Sequence, residues 1–195
     1  MKQTGGRGTL PRISVTYDQE RATLREQRQV ILIGDIHDDS AGDMVEGIRL
    51  MVAAGDEPIT LVIGSDGGDA LSMLTALDAI RFAQNHGVKV IGQVAGRAMS
   101  AGFILLQACD FRQITRNGFL MAHGIQSMST GDIKDQEANV RFLQRLRDKV
   151  APMIARRCKG VYGGFEFWTR LLTESTPTFL DTEEALEWGL VDEVL

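Results

Sequence analysis

The sequence predicts an α/β protein in which helices cover a parallel sheet, and three observations carry that expectation. Short apolar runs, "VILIG" (30–34), "ITLVIG" (59–64) and "VKVIGQV" (88–94), have the length and composition of buried strands. Between them lie segments with apolar residues at helical spacing, ended by Gly55 and Gly87, where a glycine after the last turn stops a helix. Such alternation over residues 30 to 109 calls for right-handed crossovers between parallel strands. The 195 residues contain no internal linker and no repeat, so one domain holds the core.

Taken in order, residues 1–12, "MKQTGGRGTLPR", are glycine-rich and basic, which reads as a mobile arm. Residues 13–28 read as a short strand followed by a polar segment, so the arm is drawn over 1–28 and the domain over 29–195. "VILIG" is the first buried strand. "DDSAGDMVEGIRLMVAAG" (38–55) reads as a helix with Met44, Ile48 and Met51 on one face, capped by Ser40 with Asp43 three residues on. "ITLVIGSDGG" (59–68) reads as a strand and a glycine turn. Residues 69–86 carry Met73, Leu77, Ile80 and Gln84 on one helical stripe. After "VKVIGQV", residues 101–109 read as a buried helix and "FLMAH" (119–123) as a short strand. Residues 132–158 form a long helix rich in both charge signs. Residues 164–172 and 182–188 are shorter helices; Asp181, with Glu184 at the third position, is a cap signature. "LVDEVL" closes the chain as a strand.

Apolar residues make up 44% and charged residues 24%, with a formal net charge of −5. That acidity argues against a nucleic-acid surface. No window provides the about 20 uninterrupted apolar residues of a membrane span, and the N-terminus lacks the apolar core of a signal peptide. Cys109 and Cys158 stand in no metal or redox spacing and read as buried thiols of a reducing, cytoplasmic compartment.

Candidate chemistry gathers in three segments. In "VAGRAMSAGF" (94–103), Ser100 stands where a strand gives way to a helix, and Ala98, Ala101 and Gly102 leave room beside its hydroxyl. It reads as a helix cap or as a nucleophile, whose oxyanion the free N–H groups of a helix start can hold. The segment is not the GxSxG elbow, because Ala98 replaces the first glycine. His123, one of three histidines, ends an apolar strand and reads as a general base or as a half-buried histidine bonded to backbone. "GSDGG" (64–68) reads as a phosphate cradle, an oxyanion donor or an edge that pairs with peptide; it lacks Walker A and dinucleotide spacing. His37 lies among Asp35, Asp38 and Asp39, but neighbours on an extended segment point apart, so no metal site is expected. His86 reads as a helix C-terminal residue.

These pieces together resemble the proteolytic subunit of the Clp protease, a serine peptidase family of the ClpP/crotonase fold. "GRAMSAG" is similar to the family's nucleophile segment, in which the serine follows "GQAA". "FLMAHG" resembles its histidine strand, "GSDGG" its "NSPGG", and "FLDTEEALEWGLVDEVL" its C-terminal "FxSAEEAxEYGLID". The resemblance runs from about Val30 to Leu195. It implies repeated β-β-α and βαβ units with a protruding handle helix, placed at about 124–158, whose stretch from Ser127 to about Arg145 joins two rings. It implies Ser100 as nucleophile, His123 as base, and Gly68 and Ala101 as oxyanion donors. Gly67, Asp69, Gly124 and Ile125 fall on the segments that grip an extended substrate. It further implies heptameric rings stacked to a homo-oligomer of fourteen subunits, peptide or unfolded protein as substrate, and an AAA+ Clp unfoldase that uses ATP while the subunit itself needs no cofactor.

Two departures qualify that picture. Pro177 falls where the family has its catalytic aspartate. Glu174 is then the substitute third member, with Asp181 second to it because of its capping role; a Ser–His dyad is the other arrangement. The N-terminal arm is also unlike the family's, which bears on unfoldase docking. The functional expectation is a serine endopeptidase. The alternatives are an inactive structural or regulatory ring subunit and, further off, a crotonase-like acyl-CoA enzyme.

Overall fold

The computed structural model describes residues 17–126, 130–174 and 176–195. Its centre is a parallel sheet of β1 (Gln29–Ile36), β2 (Ile59–Gly68), β3 (Val90–Met99), β4 (Phe111–Ile114) and β7 (Glu193–Val194), in that spatial order. β5 (Phe119–Ala122) pairs in parallel with the far end of β3, and β6 (Thr178–Leu180) pairs antiparallel with β5. The alternating α/β units follow the expected ClpP/crotonase-like arrangement. α2 (Asp38–Ala54), α3 (Ala70–Asn85) and α4 (Ala101–Ala108) follow β1, β2 and β3 in turn. α2 turns Met44, Ile48 and Met51 into the core, as their spacing requires. α4 is buried on all sides, which fits its lack of any charged residue.

Three local expectations are corrected or refined. Within residues 13–28, read as a short strand and a polar segment, residues 17–26 form the polar helix α1 (Tyr17–Glu26); residues 13–16 lie outside the described residues. α2 begins before Ser40: the N-cap is His37, whose ring accepts from the Ser40 N–H while the Ser40 hydroxyl accepts from the His37 N–H. The pattern missed this because histidine is not a usual cap residue. "GSDGG" is no turn. Asp35 and Ile36 of β1 pair with Gly67 and Gly68, and Ser65 pairs with Ala98 of β3, so the flanking strands hold the segment within the sheet. β3 likewise runs on to Met99.

The C-terminal half closes the sheet. α5 (Ile133–Ala155) starts at an Asp132–Asp135 capping box, is exposed or half-buried as far as Arg145, and buries Leu146, Val150 and Ile154 farther on. The first three residues of the expected ring-contact stretch, 127–129, lie outside the described residues. α6 (Phe165–Leu171) buries Trp168, and α7 (Thr182–Trp188) starts on Asp181, whose carboxylate accepts from the N–H groups of Glu183 and Glu184. The buried Arg112 of β4 forks onto Asp192 at 2.8 and 3.1 Å and also meets Gln107. Burial would raise the Asp192 pKa, but hydrogen bonding and charge from Arg112 outweigh it and hold the carboxyl below its ordinary range. Burial pushes the Cys109 thiol up to about 12 and the Cys158 thiol up to about 11, which favours the protonated thiol near neutrality.

Candidate active site

The ends of β2, β3 and β5 meet at one cleft, at the carboxyl side of the parallel strands where ligands of open α/β sheets bind. Ser100 follows β3 directly and precedes α4. Its backbone has φ 52° and ψ −117°, one of only two positive-φ conformations among the described non-glycine residues. Such a conformation costs about 1–3 kcal/mol and persists where its surroundings over-determine it. Two bonds do so here: the Ser100 N–H donates to the Met121 carbonyl of β5 at 2.8 Å, and the Ser100 carbonyl accepts from Ile104 of α4 at 3.1 Å. The hydroxyl caps nothing in the helix, although serine is a favoured cap. Its Oγ lies 2.8 Å from Nε2 of His123.

The pairing of Arg97, Ala98 and Met99 with Phe119, Leu120 and Met121 sets the register, so the histidine two residues past Met121 arrives beside the serine. The other ring nitrogen, Nδ1, is 2.5 Å from the Gly124 carbonyl. A carbonyl oxygen only accepts, so Nδ1 carries the proton; in the neutral ring Nε2 is then bare and accepts from the Ser100 hydroxyl. The loop that sets this carbonyl is pinned by Gly124 N–H to Glu174 O at 2.7 Å and Ile125 N–H to Leu172 O at 3.0 Å. A Cβ on Gly124 would stand 2.2 Å from the Glu174 oxygen, so only glycine fits there.

A cavity of about 220 Å³ opens beside the pair. Gly68, Ser100, Ala101, His123 and Ile125 line it together with the apolar Met73, Phe103, Ile104, Leu146 and Leu172. Ala101 is the first residue of α4, so its N–H has no partner within the helix. Gly67 packs tightly: at φ 108° a Cβ there would lie 2.7 Å from the Ser100 Cβ.

Of the residues expected at the site, Ser100, His123, Gly67, Gly68, Ala101, Gly124 and Ile125 are thus brought together. Asp69 caps α3 through the N–H groups of Leu71 and Ser72 at 2.9 and 2.7 Å, and these bonds lower its pKa, the Ser72 amide most of all. Glu174 reaches the site through its backbone; its carboxylate lies 3.8 Å from Arg170 on the exposed surface. Asp181 caps α7. Ala122 pairs with Thr178, and the register continued by one residue sets Pro177 opposite His123. Among the described residues no group of three or more acids, histidines and cysteines is disposed to hold a metal.

Sequence reasoning missed two participants. One is the Gly124 carbonyl, since backbone acceptors leave no signal in side-chain patterns. The other is the pairing of Arg97 with Asp66 beside the cleft, at 2.5 and 2.8 Å; two charged residues in glycine-rich segments were its visible trace. The hydrogen bond from Arg97 holds the Asp66 carboxyl below its ordinary range.

An α/β fold of the ClpP/crotonase type, with a serine and a histidine joined at the strand ends, defines the class of protein. The chain belongs to the Clp protease family, whose family model matches residues 14–195. It is 30% identical over 173 residues to the "ATP-dependent Clp protease proteolytic subunit 2" of Treponema pallidum (strain Nichols), covering 87% of this chain and 83% of that protein. It is 29% identical over 179 residues to the "ATP-dependent Clp protease proteolytic subunit 1" of Corynebacterium diphtheriae, covering 89% and 81%.

Proposed function

We propose that this chain is a serine endopeptidase subunit that works with a Ser100–His123 dyad. His123 Nε2 takes the proton as Ser100 Oγ attacks the scissile carbonyl, and later delivers it to the leaving amine. The N–H groups of Gly68 and Ala101 receive the oxyanion. Water, activated by the same histidine, then releases the acyl group and restores the serine. An extended peptide pairs with the backbone near Gly67 and Asp69 on one side and Gly124 and Ile125 on the other. One of its apolar side chains enters the cavity walled by Met73, Phe103 and Leu146. The observation that carries the reading is the 2.8 Å contact between Ser100 Oγ and His123 Nε2, made by a serine held at positive φ.

In place of the acid, the Gly124 carbonyl fixes the tautomer. It brings no negative charge to the imidazolium, so the dyad turns over more slowly than a site with a carboxylate. Glu174 as third member requires its carboxylate to leave Arg170. The second reading, an inactive ring subunit, draws its support from Pro177. The relatives' names describe subunits of an ATP-dependent protease. We propose a cytoplasmic homo-oligomer of stacked heptameric rings served by an ATP-using unfoldase, as the family resemblance implies. The exposed Phe119, Phe179, Ile133 and Val140 support burial against other subunits.

The test is hydrolysis of a short fluorogenic peptide by purified wild type and Ser100→Ala. Deleting one hydroxyl is expected to cost at least about 100-fold in kcat, the part of the about 10⁶-fold of a complete triad that remains once the acid's share is gone, with particle size unchanged. Equal turnover by the two proteins removes Ser100 from the chemistry. Turnover by neither favours the inactive subunit.

A further inference from the structure

The segments that resemble the Clp family's motifs depart from them in two charged positions. Where the family's "NSPGG" has proline this chain has Asp66, and where "GQAA" has glutamine it has Arg97. The two departures meet. Arg97 Nε and Nη2 lie 2.5 and 2.8 Å from the two carboxylate oxygens of Asp66, a two-pronged pairing that fixes orientation as well as distance. Asp66 precedes Gly67, and Arg97 stands three residues before Ser100. Ser65 and Ala98, paired across the strands, are both buried, so the alternation of the strands sets Asp66 and Arg97 on the outer face. Asp35, whose backbone pairs with Gly67 in β1, is the other acid that acts on Arg97.

The place of this pairing matters because the two strands are irregular there. The register between β2 and β3 shifts between Ile63 and Ser65, and that between β1 and β2 shifts between Ile33 and Asp35. On the β3 side the pairing ends at Ser65 and Ala98, so in the ladder the Gly67–Gly68 corner is paired with β1 alone. Just past the shift, Gly67 packs against Ser100 so closely that no Cβ fits, and Gly68 enters the cleft. Proline would stiffen this corner covalently by locking φ; a residue without that lock needs another restraint.

We propose that Asp66 and Arg97 are a positioning pair that clamps the Gly67–Gly68 corner against the nucleophile strand, replacing the stiffness of a proline with an ion pair. The inference rests on the Ser100–His123 reading for its effect on turnover. Neither side chain is a catalytic group. Both act through the backbone that must hold its oxyanion donor in place, where displacements of about 1 Å cost about 100-fold in rate.

The experiment compares wild type, Asp66→Asn, Arg97→Gln and the double variant Asp66→Pro with Arg97→Gln. It measures peptide turnover and amide hydrogen exchange over residues 64–68. Each single variant is expected to lower kcat by roughly 10- to 100-fold with KM within about twofold, and to speed exchange over 64–68 while leaving the rest of the sheet unchanged. The double variant, which restores the family's own combination, is expected to recover most of both. Unchanged kcat and exchange in the single variants overturn the clamp. So does a double variant as impaired as Arg97→Gln alone, which would make Arg97 important for some other reason. If wild type itself shows no turnover, the proposed catalytic function fails, and exchange over 64–68 still decides the clamp: faster exchange in the single variants supports it, and no change overturns it.

Discussion

The two sides of the Ser100–His123 contact are built differently. On the serine side the constraints come from three elements and are rigid. A strand runs straight into a helix, the Ser100 N–H is held by Met121, and Gly67 packs against the Ser100 Cβ. On the histidine side the far ring nitrogen rests on the carbonyl of the very next residue, in a loop tied to the backbone of Leu172 and Glu174. In the proposed mechanism the first side would supply attack geometry and oxyanion donors. The second supplies a tautomer but no charge. The difference separates two jobs that a carboxylate usually does together: orienting the imidazole, which a backbone carbonyl can do, and stabilising the imidazolium, which it does weakly because it is neutral.

The largest expected effect comes from breaking the rigid side. Gly67→Ala would put a methyl 2.7 Å from the Ser100 Cβ at a φ that disfavours any side chain. Loss of at least about 100-fold in kcat is expected from displacement of the nucleophile, together with about 1–3 kcal/mol of stability from backbone strain. Steady-state kinetics and thermal unfolding of the variant check both. Wild-type kcat would mean that the corner is softer than its packing implies.

The neutral side is sharpened by adding the missing charge. Pro177→Asp places a carboxyl opposite His123, across the continued register of β5 and β6. If the site lacks only charge behind the histidine, kcat rises by roughly 10-fold, a part of the about 10⁴-fold that the orienting acid is worth in a complete triad. A fall or no change, measured with the same peptide, would show that the ring turns on Gly124 and is closed to a carboxylate from that direction. The smallest effect belongs to Glu174→Gln. With its carboxylate near Arg170 on the surface, the variant should keep turnover within about twofold, since exposed i,i+4 ion pairs contribute little. A drop of 100-fold or more would identify Glu174 as the third member after all.

The same contrast explains what was legible in the sequence. Apolar runs gave β1 to β3 and the period of α2 and α3, because both are buried on the scale that patterns report. The Asp181 cap was readable because its partner Glu184 sits at the signature spacing. Ser100 and His123 were readable as candidates from their places at strand ends and from the family's motifs. What escaped depended on long-range pairing. "GSDGG" looks like a turn until β1 and β3 flank it. β4 and β6 have four and three residues, too few to show a period. The Gly124 carbonyl has no side-chain signature, and the Asp66–Arg97 pairing joins residues 31 positions apart.

The central claim, that Ser100 is a nucleophile activated by His123, is tested most directly by an active-site-directed fluorophosphonate, read by mass spectrometry of the labelled peptide. The account predicts one adduct per chain on Ser100 in wild type, none in Ser100→Ala, and labelling slowed by at least about 100-fold in His123→Ala, the range of a lost general base. An unlabelled Ser100 in folded wild type, or labelling at the same rate without His123, would contradict it.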